Sequence, residues 1–124
     1  ARVAAVDEAG TVVAPGRPVT VGFAFVRGPS LVSLGDRAYL VFSGAGSDGA
    51  YELGGLTVSP GLDVLTQVQR LTFSDALSLF PYAARGPDGT IGIVFDEDDE
   101  TPPTSRIPYF MSVGCQRPTA PPPD

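Results

Sequence analysis

Five of the chain's 14 carboxylates stand in one run, Asp96, Glu97, Asp98, Asp99 and Glu100. Consecutive carboxylates repel, so such a run is favourable only where water or a cation screens it. A hard cation such as Ca²⁺ would take several of these oxygens together with backbone carbonyls, which makes Asp96, Asp98 and Asp99 the candidate metal ligands. The run lacks the spacing and the internal glycine of an EF-hand loop. The competing reading is a solvated loop between two strands, kept soluble by its charge and needing no cofactor, and a third is a catalytic carboxylate. The remaining chemistry is sparse. The 124 residues contain no His, Lys, Trp or Asn, so the usual general base and commonest metal ligand is missing, and Schiff-base chemistry is excluded. Cys115 is the single cysteine. It cannot form an internal disulfide or a cysteine-based zinc site. As a nucleophile it would need a His or a cluster of positive charge to lower its pKa, and Arg117 is the one cation nearby. A disulfide to a segment outside this chain and a free thiol are the two readings left for it.

The aromatic residues fall mostly on apolar runs that read as strands, where they serve packing. Phe23 and Phe25, in Val21-Gly22-Phe23-Ala24-Phe25-Val26, read as a linker between strand groups and are the candidates for an exposed apolar or carbohydrate contact. A net charge of −6, with eight scattered Arg residues, argues against nucleic acid, because phosphate binding needs clustered cations. No window approaches the ~20 apolar residues of a membrane helix.

The elements that would position these residues are strands. Sliding the chain 52 positions along itself brings Pro18-Val19-Thr20 onto Arg70-Leu71-Thr72, Pro29 onto Pro81, and Val3-Ala4-Ala5-Val6 with Val12-Val13 onto Gly55-Leu56-Thr57-Val58 with Val64-Leu65. One insertion later Tyr39-Leu40-Val41-Phe42 meets Gly92-Ile93-Val94-Phe95. Each unit is a set of short apolar runs separated by Gly, Pro and Asp, and a period of this length points to propeller blades or a similar array. Strands are expected at 2–6, 11–14, 18–21, 30–34, 38–43, 51–58, 64–72, 81–85, 90–96 and 106–113, with a bend at Pro15-Gly16 and a hairpin at Asp88-Gly89. Residues 74–80 have an apolar spacing that reads as a short helical turn. With four strands to a unit, residues 2–20 supply the last two of one unit, 30–72 a whole unit, and 81–113 the first three of another. The predicted fold is therefore all-β, a partial β-propeller of two to three blades of four-stranded antiparallel sheet; the alternative is a β-sandwich. The repeat region is 1–114, with units near 1–20, 21–72 and 73–114. Residues 115–124, rich in proline, are expected to be a disordered tail.

The run Val6-Asp7-Glu8-Ala9-Gly10-Thr11-Val12-Val13, followed by Pro18-Val19-Thr20, Pro29-Ser30-Leu31 and Tyr39-Leu40-Val41-Phe42, resembles tandem propeller repeats of secreted bacterial proteins, myxobacterial ones among them. These are turn and core signals covering most of residues 1–96, so the resemblance implies fold and a secreted or cell-surface setting rather than an activity. Pro87-Asp88-Gly89-Thr90-Ile91-Gly92-Ile93-Val94-Phe95-Asp96-Glu97 resembles a late blade of the sialidase superfamily. Ser47-Asp48-Gly49-Ala50-Tyr51 carries the residue types of that family's Asp-box at the wrong spacing, and its arginine triad cannot be placed.

The expectation is a non-catalytic extracellular interaction or structural module. It reads as the C-terminal portion of a larger propeller, or a subunit that completes one by assembly, with another chain, another copy or the missing part of its own propeller as partner. The alternative is a fragment of a sialidase-like glycoside hydrolase.

Overall fold

The computed structural model describes residues 1–20, 22–99 and 105–114. Its strands are β1 (Arg2–Val6), β2 (Val12–Pro18), β3 (Phe25–Ser33), β4 (Ala38–Ala45), β5 (Tyr51–Val58), β6 (Gln69–Arg70), β7 (Leu77–Arg85), β8 (Ile91–Asp98) and β9 (Arg106–Val113). They form three antiparallel sheets: an N-terminal sheet β1-β2, a central sheet β3-β4-β5-β6 and a C-terminal sheet β7-β8-β9. The chain is all-β among the described residues, and none of the sheets closes on itself.

Turn chemistry explains how the chain reverses. In Asp7–Thr11, Gly46–Ala50, Ser59–Asp63 and Gly86–Thr90 the same two bonds recur: the first amide donates to the fifth carbonyl, and the fourth amide donates to the first carbonyl. The fourth residue must then be left-handed, and it is Gly10 (φ 81°), Gly49 (79°) or Gly89 (83°), with Leu62 (67°) as the one side-chain-bearing exception. This is the type I turn plus glycine bulge that suits a right-twisted hairpin.

Pairing geometry recurs. Arg2 pairs Pro18 and Val6 pairs Val12; 52 positions later Gly54 pairs Arg70 and Val58 bridges Val64. The β3–β4 ladder slips between Arg27 and Ser30, and the β7–β8 ladder slips between Leu79 and Tyr82, again 52 positions apart. The slip is a bulge with positive φ at Gly28 (52°) and Phe80 (53°), each followed by a proline. A proline lacks the N–H that a regular ladder would use, so it is placed at the irregularity.

The three sheets stack. Val3 of the N-terminal sheet, and Ala1 just before it, pack with Leu40, Phe42, Leu56 and Val58 on one face of the central sheet. On its other face Val32, Tyr39, Val41 and Leu53 pack with Ala83, Ile91, Ile93 and Phe95 of the C-terminal sheet. Two polar bonds join that second pair: Ser43 Oγ donates to the Ser78 carbonyl at 2.6 Å, and the Ala83 amide donates to Ser30 Oγ at 3.1 Å.

Three sequence expectations are corrected. Residues 74–80 form no helical turn; Leu77 opens β7. The bulge at Phe80 breaks the alternation of two, and that break imitates a helical spacing. Residues 64–72 were expected as one strand and contribute only the Val64 bridge and Gln69–Arg70. Between them the chain is held by the Leu65 amide on the Thr57 carbonyl and by Thr66 Oγ1, which accepts the Thr57 amide. The bend at Pro15-Gly16 is absorbed inside β2, whose ladder with β1 is irregular between Val3 and Ala5.

Aromatic rings lie over glycines of the neighbouring strand. A methyl at Gly54 would come 2.7 Å from Phe42 Cζ, and one at Gly55 would be driven into the Tyr39 hydroxyl. Gly55→Ala should therefore lower stability by about 1–3 kcal/mol through overpacking. Gly10→Ala, which faces open space at positive φ, should lose only about 1 kcal/mol. Urea unfolding of the two variants checks the order.

Candidate functional site

A cleft of about 270 Å³ lies on the central sheet and is lined by Phe23, Gly44, Gly46, Asp48, Glu52 and Arg70 among others. Gly44 stands opposite Glu52 in the β4–β5 ladder. Because Gly44 has no side chain, the Phe23 ring fits over it, and that ring meets Phe42 edge-on at 5.1 Å. Glu52 is therefore flanked by an aromatic wall on one side and by the outer segment 69–73 on the other.

Glu52 is 4% exposed, and both of its oxygens are engaged. Arg70 Nη2 donates to Oε1 at 2.5 Å, and the Thr72 hydroxyl donates to Oε2. Thr72 Oγ1 accepts the Leu53 amide at 2.9 Å, and Arg70 Nε donates to the Thr72 carbonyl at 3.0 Å. The Arg70 guanidinium also lies 4.8 Å over the Phe73 ring. A buried carboxylate is tolerated only when paired and hydrogen-bonded, and this one is. Chemically the cluster is a clasp: it fastens the outer segment to β5 where the ladder itself is only two residues long. Asp48, the other carboxylate of the cleft, accepts the Ala50 amide at 3.1 Å and so fixes its own turn.

The structure does not bring the sequence-predicted residues together. Phe25 opens β3, so it is no linker residue, and it is exposed; Phe23 is half-buried against Phe42. The acidic run was expected to lie in a loop, and its first three residues belong to β8. Strand alternation divides it. Asp98 pairs in register with Arg106, whose Nε lies 3.6 Å from Asp98 Oδ2, while Glu97 and Asp99 line a separate small cleft beside Ile107 and Tyr109. Among the described residues no group of three acidic, His or Cys side chains is placed to hold a metal ion, so Asp96, Asp98 and Asp99 do not converge. Glu100, Cys115 and the proline-rich tail lie outside the described residues.

Sequence reasoning missed the Glu52 clasp. Its signal was weak: an acid inside an apolar strand, Tyr51–Val58, with Arg-x-Thr 18 residues on. A charged residue in a run that reads as buried demands a partner, and that demand was the available clue.

No protein family matches the chain, and neither a curated protein nor a solved structure matches it significantly.

Two outcomes test this account. Glu52→Ala leaves Arg70 half-exposed and able to turn to water, so the loss falls mainly on the packing of the outer segment. A drop of about 1–3 kcal/mol, with faster hydrogen exchange of the Leu71 and Leu53 amides, is expected. Asp88 sits in the Gly86–Thr90 turn between β7 and β8. Bonds from the Thr90 hydroxyl and then the Thr90 amide hold its carboxyl below the usual range. The turn's support from Asp88 is thus complete above the ordinary carboxylate pKa and is lost as pH falls through the lowered one. An NMR titration should show Asp88 as an early-ionising carboxylate, and Thr90→Val should move it back up.

Proposed function

We propose that this chain is a non-catalytic interaction or structural module of an extracellular protein, built from stacked β-sheet repeats of propeller type. In this reading it is the C-terminal portion of a larger propeller, or a subunit that completes one by assembly, and its setting is secreted or cell-surface. The observation that carries the reading is a recurring offset: the β1–β2 pairing returns in β5 and its outer segment, the β3 bulge returns in β7, and the left-handed turn at Gly10 returns at Leu62, each 52 positions on, as successive blades require. Among the described residues three sheets stack in series, the central one four-stranded and its neighbours of two and three strands, which fits successive blades better than a two-sheet sandwich. The resemblance to secreted bacterial propeller repeats supports the setting.

The glycosidase alternative has less behind it. Glycoside hydrolysis needs two carboxylates facing each other across the scissile bond. Glu52 has both oxygens committed to Arg70 and Thr72, and the dense acidic run is dispersed by strand alternation. The purified chain should release no fluorophore from a panel of fluorogenic sialosides and other glycosides. Turnover that disappears in Glu52→Gln or Asp96→Asn would replace the binding-module reading with the enzyme one.

A further inference from the structure

The central sheet shows what happens to each sheet face when it is covered, and so reveals what the two end sheets lack. In the central sheet the row Ser30–Val41–Gly55 is aligned by the β3–β4 and β4–β5 registers. The C-terminal sheet covers it: Val41 is 0% exposed, and Ser30 takes the Ala83 amide. In the C-terminal sheet the corresponding row is Tyr82–Val94–Phe110, aligned by the β7–β8 and β8–β9 registers. It is apolar throughout, yet Tyr82 and Phe110 are 76% and 70% exposed. The neighbouring bulges stack the same way. Gly28 of the central sheet lies under Phe80, whose Cα would sit 3.4 Å from a methyl placed there, and Phe80 itself is half-exposed, with the Arg106 guanidinium 5.3 Å over its ring.

The opposite end mirrors this. Val58 of the central sheet, bridged to Val64, is buried beneath the N-terminal sheet. The pair in the same place on the N-terminal sheet is Val6–Val12, 60% and 59% exposed. The two open faces also differ in kind. Each internal junction joins a face of one type on the earlier sheet to a face of the other type on the later sheet. The C-terminal sheet is left with an open face of the first type, and the N-terminal sheet with an open face of the second. Their net charges differ in sign as well: Asp96, in the place of Ser43, lies on the former with the Asp98–Arg106 pair, and Arg2 lies with Val6 on the latter.

We propose that the outward face of the C-terminal sheet, centred on Tyr82, Val94 and Phe110, stacks on the outward face of the N-terminal sheet of a second copy of this chain, at Arg2, Val6 and Val12. The contact continues the stacking already used twice inside one copy. It is heterologous, so it leads to a ring or an open array depending on the rotation. Two copies bring six sheets, within the about four to eight that close a propeller ring. The proposal rests on the stacked-repeat reading and names the partner and the residues for it.

Sedimentation velocity on the full 124-residue chain, over a wide concentration range, is the test. The wild type should run at twice the monomer mass or more. Phe110→Asp and Val6→Asp should each run as monomers, and an equimolar mixture of the two should form a one-to-one dimer, because each variant keeps the face the other has lost. Both positions are exposed, and circular dichroism confirms that the variants fold; Tyr82→Asp and Val12→Asp serve as second variants of each face. A wild type that stays monomeric overturns the proposal, and so does a Val6→Asp variant that still self-associates, which would mean a symmetric contact between C-terminal sheets. A monomer without glycosidase turnover would defeat this inference alone, whereas turnover would defeat the functional reading beneath it.

Discussion

Every residue of β4 from Tyr39 to Ala45 is buried, so this strand has no solvent face, and its two sets of side chains serve two different cores. Tyr39 and Val41 belong to the contact with the C-terminal sheet, and Leu40 and Phe42 to the contact with the N-terminal sheet. A strand of this kind reads as a continuous apolar run rather than an alternating one. It holds its register because slipping by one residue would exchange the two sets. The glycines of β5 follow from it. Phe42 and Tyr39 are too large to stand beside side chains on the next strand, so Gly54 and Gly55 lie where the rings project. The short β6 follows in turn, since a sheet thinned by glycine there needs the Glu52–Arg70–Thr72 clasp to retain its outer segment.

Much of this was legible in the sequence. Asp7-Glu8-Ala9-Gly10 and Pro87-Asp88-Gly89 announce their turns because only a glycine takes the left-handed position without strain. The run Tyr39-Leu40-Val41-Phe42 announces a strand by its β-branched and aromatic content. What failed to show lies at irregularities. Leu62 occupies a left-handed turn position without being glycine, and Phe80 does the same at a bulge, so a reader looking for glycine finds neither. The bulge at Phe80 also reverses the facing of β7, which is why residues 74–80 looked helical.

The candidate site was harder to read than the fold, for a physical reason. Charge density drew attention to residues 96–100, but sequence neighbours on a strand point to opposite sides, and Asp96 and Glu97 are therefore separated by the sheet that carries them. The chemically concentrated place is instead Glu52 with Arg70 and Thr72, partners 18 and 20 positions away. Such a cluster is assembled by the β5–β6 pairing of Gly54 with Arg70 and has no footprint in any short window.

Since the N-terminal and C-terminal sheets each pack on the central one, cohesion runs in one dimension, as in other repeat arrays. Order should begin where hairpins are short and both neighbours are within reach, at β4–β5, and spread outward. Dismantling should go the other way. The two-stranded N-terminal sheet, with an irregular ladder and mostly exposed side chains, is then the first part to open, well before the central sheet yields. The molecule would therefore come apart as a graded sequence of local openings rather than as a single all-or-none event.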